Sequence, residues 1–244
     1  MNLAIVGYGK MGRLIEQFAP EYGFTVVLKL DEFNNVEFSA LRPENFESVD
    51  VAVEFSIPEV VVGNLERLAA LGVNVVVGTT GWLGEIEHVK SVVAESGIGL
   101  VWSPNYSVGM NVFARLVSEA ARLLAPQEDY GAWAWEIHHS TKKDAPSGTL
   151  LKLAGEMKKA GYARPIDTGS NRAGKHPGTH EIGFDSSADT ITLRHTVRSR
   201  EGFARGALEA ARWVVGKKGF FEFSEVLFHR RDAENAEEAQ RKPI

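Results

Sequence analysis

The sequence predicts an α/β protein built on a doubly wound parallel sheet, and three observations carry that prediction. Up to Trp102, short apolar runs that stop at glycine or a small polar residue alternate with stretches of helical spacing, as strands buried on both faces and joined by helices do. After Asn111 this alternation breaks, which marks a second part of the chain. The 244 residues exceed the roughly 150 of one average domain, and a hydrophobic share of 44% is enough to build sizeable cores.

Leu3 to Val6 is an apolar run that meets Gly7, a first strand. Met11, Leu14, Ile15 and Phe18 follow at helical spacing, and Pro20 with Gly23 stops that helix. Phe24 to Leu30 is a second strand, ending at Asp31 and Glu32. Val49 to Phe55 is a third, ending at Ser56, Ile57 and Pro58. A helix from Glu59 to Leu71 closes at Gly72, and a strand from Val73 to Val77 runs into Gly78-Thr79-Thr80-Gly81. A helix from Gly84 to Glu95 and a strand from Ile98 to Trp102 complete the alternating part. Beyond it, Asn111 to Leu124 has helical spacing, Ala132 to His139 alternates as a strand, and Ser147 opens a helix to Ala160. Gly161 to Gly178 is dense in turn formers and is expected to be a loop. Thr179 to Phe184 and Thr190 to Arg198 are strands; in the second, Ile191, Leu193, His195 and Val197 share one face. Phe203 to Val215 is a last helix. Arg230 to Ile244, charged and poor in apolar residues, is expected to be a mobile tail or a solvated helix.

Gly7-Tyr8-Gly9-Lys10-Met11-Gly12 fits G-x-G-x-x-G between the first strand and the first helix. The first glycine allows a tight turn, the second lets backbone approach a pyrophosphate, and the third permits close helix–strand packing. Amides at the helix N-terminus then face the phosphates. Asp31, at the end of the second strand, has the spacing of an acid that binds ribose hydroxyls. Together these predict a Rossmann-like dinucleotide site. Phe55-Ser56 and Gly78-Thr79-Thr80 also end strands, where open α/β sheets bind ligands, although ordinary turns have the same composition.

The densest chemistry lies in Glu136-Ile137-His138-His139-Ser140-Thr141-Lys142-Lys143-Asp144-Ala145-Pro146-Ser147-Gly148-Thr149. A histidine exchanges protons near neutral pH, a lysine supplies a cation or an acid, and Ser147-Gly148-Thr149 at a helix start favours an anion. The residues equally allow a surface loop with a capping serine and two structural histidines. A metal site is not expected: His176 and His180 are four apart, but Pro177 and Gly178 between them oppose a helical pair.

The His138 to Thr149 run resembles the signature of the dihydrodipicolinate reductase family of lysine and diaminopimelate biosynthesis. The opening glycine loop, Val53-Glu54-Phe55-Ser56, Gly78 to Gly81, Ser103-Pro104-Asn105-Tyr106-Ser107-Val108-Gly109 and Ser199-Arg200 fit it as well. Near the end, so do Phe203-Ala204, Gly206-Ala207-Leu208, Trp213 and Val226-Leu227. The resemblance implies a Rossmann-like domain of residues 1–104 and 200–244, and a mixed α+β domain of residues 105–199 for substrate binding and oligomerisation. It implies reduction of 4-hydroxy-tetrahydrodipicolinate with NADH, NADPH or both, in a cytoplasmic homotetramer. By position, His138 becomes the catalytic acid/base and Lys142 the second proton donor. His139, Ser147, Gly148 and Thr149 become substrate contacts. Gly7, Tyr8, Gly9, Lys10, Met11, Gly12, Asp31, Phe55, Ser56, Gly78, Thr79, Thr80, Ser103, Pro104, Asn105 and Tyr106 would border the cofactor, with Arg200 near the hinge. No role carries over to residues 172–180, where Ala173, Lys175 and Pro177 interrupt the family pattern. Glu32 after Asp31 argues against a dedicated 2′-phosphate site, and strand alternation puts Lys29 on the side of Asp31, where the two are expected to pair.

Other readings are a second kind of Rossmann amino-acid dehydrogenase and an NAD(P)-sensing protein without turnover; the latter has no need of His138, Lys142 and Ser147 together. The chain has no cysteine, which excludes disulfides, thiolate metal sites and thiol-dependent semialdehyde dehydrogenases. A net charge of −5 argues against nucleic acid as partner. No apolar run reaches the roughly 20 residues of a membrane helix.

Overall fold

The computed structural model describes residues 1–228; the expected tail, Arg230 to Ile244, lies outside them. The described residues divide into two compact units, Met1–Val108 joined by the chain from Glu201 to Phe228, and Gly109–Arg200.

The first unit runs β1 (Asn2–Val6), α1 (Lys10–Phe18), β2 (Thr25–Leu30), α2 (Pro43–Phe46), β3 (Val51–Glu54), α3 (Pro58–Ala70), β4 (Asn74–Val77), α4 (Ile86–Ser96) and β5 (Gly99–Trp102). The second holds α5 (Val108–Leu124, whose first residue clusters with the first unit), β6 (Gly131–His138), α6 (Gly148–Lys159), β7 (Ile166–Arg172), β8 (Thr179–Asp185) and β9 (Thr190–Thr196). The chain then returns to the first unit with α7 (Glu201–Val214) and β10 (Gly219–Glu222).

The first unit is a six-stranded parallel sheet in the order β10-β5-β4-β3-β1-β2. Its inner strands β1, β3, β4 and β5 are buried on both faces because alternate side chains feed two different cores. Leu3 and Ile5 point to the side of Ile15 and Phe18 on α1 and Ala207 and Leu208 on α7. Ala4 and Val6 point to the side of Leu65 and Leu68 on α3 and Val89 and Val93 on α4. The strand order reverses between β1 and β3, so a crevice opens at their carboxyl ends. This is the Rossmann-like doubly wound sheet that the sequence predicts. β10, which the sequence reading did not assign, extends it beside β5.

The second unit is a four-stranded mixed sheet in the order β7-β6-β8-β9; β6 runs parallel to β7 and antiparallel to β8. Ala132 and Ala134 on β6, with Ile182 and Phe184 on β8, form its covered face under Phe113 and Val117 of α5 and Leu150 and Leu153 of α6. The loop expected from Gly161 to Gly178 is a correction: Ile166–Arg172 is a strand. Its residues (Asp167, Gly169, Ser170, Asn171) have little strand propensity, and pairing with β6 along seven residue pairs overrides it. Gly169 makes room for the Trp135 ring, which donates from Nε1 to Asn171 at 2.6 Å, and Gly183 makes room for Trp133.

Two glycines of α7 give a test of this packing. A Cβ at Gly206 would overlap the backbone carbonyl oxygen of Tyr106, whereas one at Gly202 meets no atom within 4 Å. Gly206→Ala is expected to destabilise the protein by about 1–3 kcal/mol, and Gly202→Ala to be neutral or stabilising by up to about 1 kcal/mol. Urea unfolding curves check the opposite signs; equal midpoints for the two variants contradict the close approach.

Candidate active site

In the first unit, the turn after β1 is set by backbone. The amides of Gly7 and Tyr8 both donate to the Leu30 carbonyl, at 2.8 and 2.9 Å. Gly7 has φ +97°, and a Cβ there would run into the Phe55–Ser56 backbone. Gly12 brings α1 onto the turn, since its Cβ would lie 2.6 Å from the Gly7 carbonyl oxygen. Gly9 caps α1, and a Cβ at Gly9 would meet no atom of the described residues within 4 Å. The middle glycine thus faces the space a pyrophosphate needs, with Lys10 and Met11 opening the helix behind it, so the loop fits a dinucleotide.

A cleft of about 220 Å³ follows, lined by Met11, Phe55, Ser56, Pro58, Gly78, Thr79 and Thr80. Beneath it lies Glu54, fully buried, which accepts from the Asn64 amide at 3.0 Å and from the Ser56 hydroxyl. Burial pushes its carboxyl up, against those hydrogen bonds. In the loop after β5, Ser103 and Tyr106 are buried. Ser103 Oγ bonds the backbone of Asn105, and Tyr106 Oη sits 2.8 and 2.9 Å from the carbonyl oxygens of Val77 and Val101. Their side chains shape the Ser103–Tyr106 loop, Pro104 included.

Asp31 closes a turn on itself, accepting from the amides of Phe33 (2.9 Å) and Asn34 (3.1 Å). The expected Lys29–Asp31 pair is a correction. Lys29 bonds Glu16 at 2.9 Å, 5.0 Å from the centre of the Tyr8 ring, and Tyr8 donates its hydroxyl to the same Glu16. A carboxylate on α1 thus takes the cation away from Asp31.

In the second unit the chemistry gathers on Glu136. Strand register puts Glu136 between Ser170 on β7 and His180 on β8, with His138 beside Arg172 two residues on. Glu136 is fully buried, and its Oε1 accepts from the Ser147 amide (2.8 Å), Ser170 Oγ (2.7 Å) and Arg172 (3.0 Å). Its Oε2 accepts from the Ser147 hydroxyl and lies 3.3 Å from His180 Nε2 and 3.4 Å from His138 Nδ1. Burial pushes the carboxyl up, but the bonds from Ser147, Ser170 and Arg172 outweigh it and hold the group down at about 2. Burial lowers both imidazoles: His180, facing His138, falls to about 4, and His138 falls despite the nearby charge of Glu136. The donor atoms of Glu136, His138 and His180 lie within 4.8 Å of one another. Arg172 pairs with the carboxylate at 3.0 Å, while His138 Nδ1, His180 Nδ1 and Arg172 Nε are buried without a hydrogen-bond partner among the described residues.

Ser147 is the N-cap of α6, accepting from the Leu150 amide at 3.2 Å. Because its own amide and hydroxyl are taken by Glu136, it is buried, and Gly148 and Thr149 form the accessible start of the helix. Lys142 bonds both oxygens of Asp144, at 2.7 and 3.0 Å. The Lys142 ammonium, helped by the Gly148 amide, holds the Asp144 carboxyl below the usual range. Arg172 also donates to the Asp144 carbonyl, which ties this loop to the cluster. His139 is half-buried, its Nδ1 2.7 Å from Thr141 Oγ1. His176 stands apart from His180, its Nδ1 accepting from the Gly178 amide at 3.2 Å. Arg200 is exposed, at the end of the second unit.

The sequence reading assigned no role to Glu136, Ser170, Arg172 and His180. Glu136 and His138, two apart on a strand, share a face, but β7 was hidden among turn formers.

Two family models match the chain. One described as the N-terminus of dihydrodipicolinate reductase covers residues 1–106, and one described as its C-terminus covers residues 109–227. A 4-hydroxy-tetrahydrodipicolinate reductase of Christiangramia forsetii is 35% identical over 93% of this chain and 98% of its own. One of Ralstonia nicotianae is 38% identical over 93% of this chain and 99% of its own. A dipicolinate-bound dihydrodipicolinate reductase from Paenisporosarcina sp. TG-14 superposes with a TM-score of 0.78 at 21% identity, covering 93% of this chain and 99% of its own, which shows the fold alone.

The lowered groups make stability pH-dependent on the acid side. An unfolded chain protonates its histidine at the ordinary 6.5, whereas folded His180 stays neutral to about 4. The unfolded state therefore binds more protons in that window, and stability falls as pH drops through it. Glu136 extends the loss from 4.5 towards about 2. Urea titrations are expected to show declining stability from pH 6.5 to 4, with a smaller decline in His180→Gln; a flat wild-type curve there contradicts a buried neutral His180.

Proposed function

The chain belongs to the dihydrodipicolinate reductase family and is an NAD(P)H-dependent oxidoreductase, and from that premise we propose how its residues reduce 4-hydroxy-tetrahydrodipicolinate to tetrahydrodipicolinate in lysine and diaminopimelate biosynthesis. The observation that carries the proposal is the Lys142–Asp144 contact at the start of α6. The loop already presents a carboxylate to the Lys142 ammonium and the Gly148 amide. A substrate carboxylate takes over those donors by displacing Asp144, and the Thr149 amide adds to the helix-terminal field. His139 flanks the same loop and contacts the substrate. His138, lowered by burial, is neutral near physiological pH until a bound dianion raises it, and it then serves as the acid. Lys142 is the second proton donor.

The residues that would hold the cofactor are Gly7 to Gly12 at the pyrophosphate, Asp31 at the ribose, and Phe55, Ser56, Gly78 to Thr80 and the Ser103–Tyr106 loop along the cleft. When bound, the cofactor would supply the hydride that the substrate ring accepts, and with one proton taken up and the 4-hydroxyl group lost as water the conversion balances. NADH serves at least as well as NADPH. Asp31 and the exposed Glu32 repel a 2′-phosphate, and Lys29 is engaged by Glu16. Partly exposed charges of this kind discriminate by about tenfold or less. The family resemblance supports a cytoplasmic homotetramer; among the described residues no helix is long and apolar enough to cross a membrane.

The test follows oxidation of NADH and NADPH at fixed salt, with enzymatically generated hydroxy-tetrahydrodipicolinate. Wild type is expected to turn over, with kcat/KM for NADH equal to or up to about tenfold above that for NADPH; a preference for NADPH beyond about tenfold contradicts the cofactor reading. His138→Gln and Lys142→Ala are expected to lose about 10² to 10⁴ in kcat while keeping NADH affinity. Wild-type kcat in both variants contradicts the assignment.

A further inference from the structure

We propose that Glu136 is a positioning residue that sets the tautomer of His138, drawing the Nδ1–H to its Oε2 and leaving Nε2 as the atom that gives and takes the proton. This rests on the reading of His138 as the acid.

Three observations converge on it. First, His138 Nδ1 is buried and has no hydrogen-bond partner among the described residues, and Glu136 Oε2 lies 3.4 Å from it. A bare nitrogen lone pair there would oppose a carboxylate lone pair, whereas an N–H is attracted to it. Second, Glu136 is itself immobilised by Ser147, Ser170 and Arg172, so the oxygen that meets His138 has one position. His180 Nε2, 3.3 Å from the same oxygen, and the T-shaped packing of the two rings at 5.1 Å hold His138 from the other side. Third, the opposite edge of the ring is kept clear by a glycine. Gly178 has φ +137°, and a Cβ there would stand 3.1 Å from both Nε2 and Cδ2 of His138. A side chain at residue 178 would press on the atom that must reach a substrate.

The proton balance is simple. The imidazolium carries a proton on each nitrogen. The Nε2–H bond breaks as the substrate atom gains that proton, and the neutral ring keeps Nδ1–H towards Glu136. A carboxylate that holds one nitrogen of a histidine fixes the tautomer for general acid–base work in this way. The charged and titratable groups facing His138 are Glu136 on its own strand, Lys142 and Asp144 from the following loop, Arg172 from β7 and His180 from β8. Among them the Glu136 charge raises the basicity of His138 most, so removing it moves His138 to lower pH.

The experiment combines long-range ¹H–¹⁵N correlation spectra of the imidazole-labelled protein with pH–rate profiles, for wild type, Glu136→Gln and Gly178→Ala. In wild type above the His138 titration the expected result is the Nδ1–H tautomer. In Glu136→Gln the expected results are loss of tautomer preference, a fall in kcat of about 10²-fold or more, and a shift of the His138 limb to lower pH. A role confined to packing would move neither tautomer nor limb. An Nε2–H tautomer in wild type overturns the proposal whether or not the variants fold, as does a Glu136→Gln profile superposable on wild type. If wild type fails to turn over, the functional reading falls, and with it the proton exchange at Nε2, while the spectra still report the Glu136–His138 contact separately. Gly178→Ala is expected to lower kcat while keeping the tautomer; unchanged kcat contradicts Nε2 as the working atom.

Discussion

A carboxylate sealed from water has to be answered by donors, and in the second unit that requirement organises the candidate site. Glu136 recruits the Ser147 amide and hydroxyl from the start of α6, Ser170 and Arg172 from β7, and the ring of His180 from β8. Removing the guanidinium from such a buried pair costs on the order of 3–5 kcal/mol, because the charge left behind has no solvent to meet. The strands, the helix N-terminus and the His138 ring are therefore held in one arrangement by a single group.

The first unit contains a second fully buried glutamate, and the contrast is instructive. Glu54 accepts from the hydroxyl of Ser56 and the side-chain amide of Asn64, both neutral, and burial pushes its carboxyl up. Around Glu136, two hydroxyls, an amide and a guanidinium outweigh burial and hold the carboxyl at about 2. Burial thus shifts Glu54 towards its neutral form, whereas the donors around Glu136 favour its anion beside an imidazole.

Sequence reasoning reached much of this and missed definite parts for physical reasons. The parallel sheet was legible because strands buried on both faces are written as unbroken apolar runs such as Val51 to Val53 and Val75 to Val77. The glycine loop was legible because only glycine satisfies the positive φ and the close approach at Gly7. β7 was illegible: Asp167, Gly169 and Ser170 form a strand only because β6 is there to pair with. With β7 hidden, Arg172 and Ser170 could not be joined to Glu136. Lys29 shows the limit of strand alternation. Pointing to the same side as Asp31 did not pair the two, because Glu16 on α1 and the aromatic face of Tyr8 compete for the ammonium, and Asp31 spends an oxygen on its own turn.

The central claim is that Glu136 stays ionised inside the protein and that this anion organises the site. Carboxyl ¹³C spectra of glutamate-labelled protein, assigned by difference from Glu136→Gln, measure it directly as pH is lowered. The Glu136 signal is expected to remain that of a carboxylate through the ordinary 4.5 and to begin titrating only towards about 2. An inflection at or above 4.5 would contradict it.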